Sequence, residues 1–242
     1  MTDLLVVVPT RARPHSVAPL LRAMVETCRA YTTVVLALDG DEAPHRYDEE
    51  VLTFLTDAPA QARVSVYLTH QPRRRMIGTL NHVAAEAITN FEPRVVAYLG
   101  DDHRPETVGW DAIFCDVLAE TGPGLVYGDD GHQHENLPTA VAASVEIVTT
   151  LGYLVPPQLV HMYCDNYWLD LGRSAEAITY LPEVHITHQH PAVHPGGMWD
   201  ASYAESNAAQ RYAEDKAAYD TFVTSGALAA DVARVRALRQ LP

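Results

Sequence analysis

The chain has 242 residues, 48% of them hydrophobic, which suits one α/β domain, or one domain with a short appendage, and a full apolar core. Its formal net charge of −14 repels nucleic acid and anionic membranes, so neither is an expected partner, and it repels a phosphorylated ligand too unless local cations or a bound metal offset the field. No apolar run reaches the ~18 residues of a membrane span, Met1-Thr2-Asp3-Leu4 lacks the basic segment of a signal peptide, and Cys28, Cys115 and Cys164 show neither a disulfide framework nor a zinc-finger spacing, so a reduced, cytoplasmic protein is expected.

Leu4-Leu5-Val6-Val7-Val8 is a continuous apolar run ending at Pro9, the pattern of a strand buried on both faces of a parallel sheet. A helix is expected over 17–29, with Leu20, Leu21, Met24 and Val25 as its apolar positions. A second buried strand over 33–38 ends in Asp39-Gly40-Asp41. A polar helix near 48–55, a third strand over 64–68 and a helix over 78–88 follow. The fourth strand, over 95–99, ends in Gly100-Asp101-Asp102-His103. This alternation predicts a mostly parallel sheet with helices on both faces. Ligands bind such sheets outside the carboxyl ends of the strands, where Asp39 and the Asp101–Asp102 pair lie.

The second half is less regular. A helix over 108–120 precedes a fifth strand, Leu125-Val126-Tyr127, which runs into Gly128-Asp129-Asp130-Gly131. Helices are expected over 140–151 and 163–171, short strands over 179–181 and 184–186, and a loop over 191–200. From Asp200 the pattern is helical and Ala-rich. Ser225 is read as the cap of a last helix with Leu228, Val232 and Val235 as its stripe.

Two adjacent carboxylates at a strand end are costly unless a cation or solvent offsets them. A hard divalent ion with oxygen ligands is the common solution, and a solvated acidic turn is the competing reading. Arg73-Arg74-Arg75 is a dense positive run whose guanidinium forks match phosphate, as do Arg11 and Arg13 after the first strand. His185, His188, His190 and His194 cluster late in the chain. In an extended segment His188 and His190 share a face and His185 points the other way. Tyr153, Tyr163, Tyr167 and Trp168 surround Asp165. Asp129 and Asp130 end the fifth strand on the same side and are candidates for ligand contact.

The ordered series over residues 4–105 resembles family 2 glycosyltransferases and their GT-A relatives. Val7-Val8-Pro9-Thr10-Arg11-Ala12-Arg13-Pro14 is similar to the opening strand and nucleotide-contacting turn. Asp39 takes the place of the base-binding aspartate, and Gly78-Thr79-Leu80-Asn81 matches loosely a Gly-rich turn with a downstream Asn. Leu99-Gly100-Asp101-Asp102 stands where the family has Asp-x-Asp, with glycine in place of the first aspartate. Asp101-x-His103 is the alternative alignment.

The resemblance implies a GT-A type, Rossmann-like sheet and a metal-dependent transfer of sugar, with inversion, from a UDP- or GDP-sugar to a glycan, protein or small-molecule acceptor. It implies a domain over 1–198, with a nucleotide-binding half over 1–105 and an acceptor-binding half over 106–198, and a helical extension over 199–242. Pro9, Thr10, Arg11, Arg13, Asp39, Arg75, Gly78, Asn81 and Asp101 would bind the sugar nucleotide. Asp102 and His188 would hold Mn2+ or Mg2+, with His190 in reserve. Asp165 would be the general base, Asp170 being the competing carboxylate. A sugar nucleotidyltransferase is disfavoured because Thr10-Arg11-Ala12-Arg13-Pro14 contains no glycine. A zinc hydrolase is disfavoured because no His-Glu-x-x-His motif occurs. A non-catalytic sugar-binding module on the same fold is the remaining alternative.

Overall fold

The computed structural model describes residues 2–40, 46–49, 51, 54, 63–194 and 199–240. The opening apolar run is β1 (Leu4–Thr10), and Leu4 to Val8 are fully buried. It lies between β2 (Thr32–Asp39) and β4 (Val95–Tyr98), parallel to both, and β3 (Val64–Gln71) continues in parallel beyond β2. Alternate residues of β1 serve two cores. Leu5 and Val7 pack with Ile77 and Leu80 on one face, and Leu4, Val6 and Val8 pack with Leu20, Leu21 and Trp110 on the other. Helices α1 (Pro14–Thr27) and α3 (Trp110–Thr121) cover the second face, while α2 (Arg75–Phe91) and α5 (Cys164–Ala175) cover the first. Pro14 at the start of α1 presets its dihedral and removes no helical donor.

The sheet extends through β7 (Val141–Ser144), β6 (Leu125–Asp129), β8 (Ile178–His188) and β5 (His103–Pro105), giving among the described residues the order β3-β2-β1-β4-β7-β6-β8-β5. Strand β7 is antiparallel to both β4 and β6, and β8 is parallel to β6. The two reversals cancel, so β1, β2, β3, β4, β6 and β8 all end on one edge. The close approach of β6 to β8 requires Gly128: a Cβ there would stand 2.3 Å from the Val184 carbonyl oxygen, where the register also shifts.

Helices α4 (Val145–Leu151), α6 (Ala201–Ser206), α7 (Ala209–Thr224) and α8 (Ala227–Arg239) and a short 3-10 turn (His134–Asn136) lie among the remaining described elements. Tyr219 and Phe222 of α7 and Val232 and Val235 of α8 join the core shared by α2 and α5. Among the described residues, no helix is long and apolar enough to cross a membrane.

Several expected elements differ. The helix expected over 140–151 is β7 followed by α4, because Val141-Ala142-Ala143 is buried between β4 and β6 and a short apolar run carries no distinguishing period. The two short strands near 179–186 are one strand, β8. Ser225 does not cap α8: Gly226 holds that position with φ +84°, and the Ser225 hydroxyl donates to the Phe222 carbonyl. Of the helix expected near 48–55, residues 48, 49, 51 and 54 are helical and the rest lie outside the described residues, as do Asp41 and residues 195–198 of the expected loop.

Candidate active site

The end of β4 turns sharply into β5. The His103 amide donates to the Gly100 carbonyl at 3.1 Å, and the Gly100 amide donates back to His103 Nδ1 at 2.9 Å. This turn gives the two aspartates different surroundings. Asp101 is buried and accepts from the Thr10 hydroxyl at 2.6 Å and from Arg13 Nη1 at 3.1 Å. Burial raises its pKa while Arg13 opposes the shift. With both oxygens engaged, Asp101 braces Thr10 and Arg13.

Asp102 faces two imidazoles, with Oδ1 3.4 Å from His103 Nδ1 and Oδ2 3.5 Å from His188 Nε2. The Tyr203 hydroxyl donates to Oδ2, and Arg13 Nη1 lies 3.9 Å from the same oxygen. Burial acts to raise Asp102, but the His188 imidazole beside Oδ2 opposes it, and the carboxyl lies well below its ordinary value. The two rings are stacked, 4.3 Å between centroids. His103 Nε2 lies 3.4 Å from the Thr139 hydroxyl, which itself donates to Asp130. That pattern, with the Gly100 amide on the other nitrogen, assigns the His103 proton to Nε2. Burial and the neighbouring His188 lower the pKa of His103. Burial also acts to lower His188, but Asp102 holds it above its ordinary value.

The carboxylate and the two imidazoles offer three ligand atoms within 4.8 Å of one another. This donor set fits a divalent cation. The backbone keeps the space open: a Cβ on Gly100 would lie 2.5 Å from Asp102 Oδ1 and 2.9 Å from His103 Nδ1. Glycine stands here because any side chain would enter the gap between the ligand atoms.

The cluster opens on a cavity of about 490 Å³ at the carboxyl edge of the sheet, a volume suited to a small-molecule ligand. Pro9, Thr10, Arg11 and Arg13 line it from the end of β1 and the turn beyond. Asp39, Arg75, Asp101, Asp102, Asp165 and His188 line it from five further elements or their ends. Asp39 is buried and accepts the Arg74 amide at 3.0 Å. Asp165 lies in the first turn of α5, where the Cys164 thiol donates to it at 3.1 Å. Three residues with left-handed backbone sit beside the cavity, Ala12 (φ 59°), Arg75 (φ 62°) and Tyr163 (φ 67°). Non-glycine residues held there concentrate at functional sites.

Other expected residues are placed elsewhere. Gly78 and Asn81 lie inside α2, away from the cavity lining. The Asn81 side chain donates to the Val155 carbonyl and accepts the Leu154 and Val155 amides, so it ties α2 to that loop. Asp170 is exposed and accepts the Tyr219 hydroxyl at 2.6 Å. Asp129 binds His134 and Tyr180, and Asp130 accepts the amides of residues 132–134, so the pair shapes its own loop. His185 is exposed, while His190 lines the cavity edge-on to His188.

The structure adds residues that no sequence pattern marked. Tyr203 and Glu205 come from α6, about 100 positions or more from the groups they touch. Thr79 lines the cavity with a buried hydroxyl that has no hydrogen-bond partner among the described residues.

No family model and no curated protein sequence matches the chain. Solved structures do. The chain resembles the mannosyltransferase PcManGT from Pyrobaculum calidifontis in complex with GDP-Man and Mn2+ at 14% identity and a TM-score of 0.61, covering 99% of this chain and 81% of that one. It resembles S. aureus TarS at 12% identity and a TM-score of 0.56 over 77% of this chain, and S. aureus TarS 1-349 in complex with UDP equally well. It spans 37% and 60% of those two TarS chains. The fold is therefore that of GT-A glycosyltransferases.

Proposed function

We propose that this protein transfers a sugar from a UDP- or GDP-sugar to an acceptor hydroxyl on a glycan, protein or small molecule, with inversion and with Mn2+ or Mg2+ as cofactor, in the cytoplasm. The observation that carries the reading is the group Asp102, His103 and His188, set in a cavity with arginines on one side and Asp165 on another. Asp102 and His188 would hold the ion, and His103 would join once its Nδ1 releases the Gly100 amide. Imidazole donors favour Mn2+ over Mg2+. The chemistry such an ion supplies is neutralisation of the charge that builds on the departing diphosphate.

The chain's own groups do the rest. Arg11 and Arg75 add fixed positive charge toward the phosphates. Asp39 and the Pro9–Thr10 turn take the nucleoside, and Asp101 keeps Thr10 and Arg13 in place. Asp165 accepts the proton of the acceptor hydroxyl as it attacks opposite the leaving group, which inverts the anomeric carbon. The GDP-Man and Mn2+ in PcManGT and the UDP in TarS support the choice of ligand class.

The test is thermal stability against UDP, GDP, CDP, ADP and dTDP, each with manganese and with EDTA. A ligand at 100 times its Kd adds about 2.7 kcal/mol. One diphosphate that stabilises only with manganese supports the reading and names the donor base. No shift with any of them sinks it.

A further inference from the structure

Three guanidinium groups converge on one carboxylate at the cavity wall. Glu205 of α6 lies 2.6 Å from Arg11, 2.7 Å from Arg73 and 3.6 Å from Arg75. The arginines come from the turn after β1 and from the segment entering α2, and Glu205 follows 130 or more residues later. All four side chains line the cavity. Fixed guanidinium forks converging on paired oxygens are the geometry by which proteins hold phosphate.

The same segment makes two further contacts of this kind. Asp200 accepts from Arg13 Nε at 2.7 Å while its other oxygen accepts the Tyr203 amide, which starts α6. Tyr203 lays its ring over the Arg13 guanidinium, 3.5 Å from the centroid, and donates its hydroxyl to Asp102. Residues 199–207 thus form a strap across the cavity. Its carboxylates sit on the arginines, and its phenol sits on the carboxylate that faces the two histidines. Arg11, Arg73 and Arg75 are each about a third or more exposed, as is Glu205, so each ion pair is individually weak and the strap is held by their number.

We propose that Arg11, Arg73 and Arg75 form a phosphate subsite that Glu205 fills in the absence of ligand, so that a nucleotide diphosphate enters by exchanging its phosphate oxygens for the Glu205 carboxylate and lifting the strap. The proposal rests on the sugar-nucleotide reading for the identity of the ligand, but the latch itself does not depend on it. An occluded fraction weakens apparent affinity in proportion to the population that is open.

The test compares the wild type with Glu205→Gln, which keeps the side chain's size and removes its charge. Two measurements are made: hydrogen exchange over residues 199–207 without ligand, and binding of inorganic pyrophosphate with and without manganese. The expected result is faster exchange across the strap in Glu205→Gln and pyrophosphate affinity raised roughly 5-fold or more. Unchanged exchange overturns the latch. Pyrophosphate bound equally, more weakly or by neither protein overturns the exchange of carboxylate for phosphate. If the strap loosens and pyrophosphate binds more tightly, yet neither protein binds any nucleoside diphosphate, the subsite stands and the sugar-nucleotide reading falls.

Discussion

Asp102 Oδ1 and His103 Nδ1 face each other across 3.4 Å with no proton between them, because the Gly100 amide already makes that nitrogen an acceptor. Two electron-rich atoms held in this way invite a cation, and the absence of a side chain on Gly100 keeps the space open. Gly100→Ala is expected to abolish manganese-dependent stabilisation and to lower turnover by at least ~10²-fold, on the scale of losing one electrostatic contact to a developing charge. The protein should still fold, since the added methyl meets side-chain atoms that can turn away. Manganese titration followed by melting temperature checks this, and an unchanged metal response would falsify the assignment of the cluster.

Thr79 supplies a test in which stability and binding move in opposite directions. Its buried hydroxyl has no partner among the described residues, so Thr79→Val should leave the unliganded protein equally stable or up to about 1 kcal/mol more stable. Ligand affinity should fall, since Thr79 lines the cavity and its hydroxyl is available to a bound ligand. Urea denaturation and nucleotide titration on the same variant separate the two effects. A loss of stability with affinity intact means that the hydroxyl serves the fold.

For Asp165→Asn, kcat should drop ~10²–10⁴-fold, the range of general base catalysis. Affinity for the nucleoside diphosphate should not change, because the proton acceptor acts on the other substrate. Isothermal titration together with steady-state kinetics reads both quantities. An equal loss in nucleotide binding would move Asp165 to the donor site, and full activity would remove it from the chemistry.

The loop after β6 should set part of the acid sensitivity. Burial acts to raise Asp130, but the amides of His132 and Gln133, the Thr139 hydroxyl and the His134 amide hold its pKa below the ordinary carboxylate value. A depressed folded pKa means that the ionised form favours the native state. The contribution is fully present above the unfolded value of about 3.9 and is lost as pH falls through the lower folded value. The wild type should therefore lose stability in that acid window, and Asp130→Asn should lose less there because its contribution is already absent at neutral pH. Denaturation midpoints from pH 7 to about pH 2 decide this, and parallel curves for the two proteins would refute it.

How much of this was legible in the sequence depends on the range of the interactions. Leu4–Val8 and residues 33–38 read as buried parallel strands because burial on both faces leaves an unbroken apolar run. Asp39 and Asp101–Asp102 read as edge residues because ligand-bearing loops follow such strands. The segment Val141–Ser144 misled for the opposite reason: four small or branched residues carry no period, and only the vacancy between β4 and β6 makes them a strand. The partners of Asn81 were not legible, because a motif match does not show which face of α2 the side chain takes. The amides of Leu154 and Val155 decide that.

The sequence by itself determined the α/β alternation, the edge on which the chemistry sits, and the pairing of an acidic turn with late histidines as candidates. Those are consequences of local pattern, where neighbours along the chain fix the outcome. Tertiary structure alone decided that His188 rather than His185 stacks on His103, that Asp101 is fully engaged with Thr10 and Arg13, and that Glu205 closes on three arginines. Each of those contacts joins residues about 85 to 194 positions apart, with their relative placement set by strand order and by how α6 returns across the sheet edge. No local spacing encodes that path, so the electrostatics of the site follow from the packing of the chain.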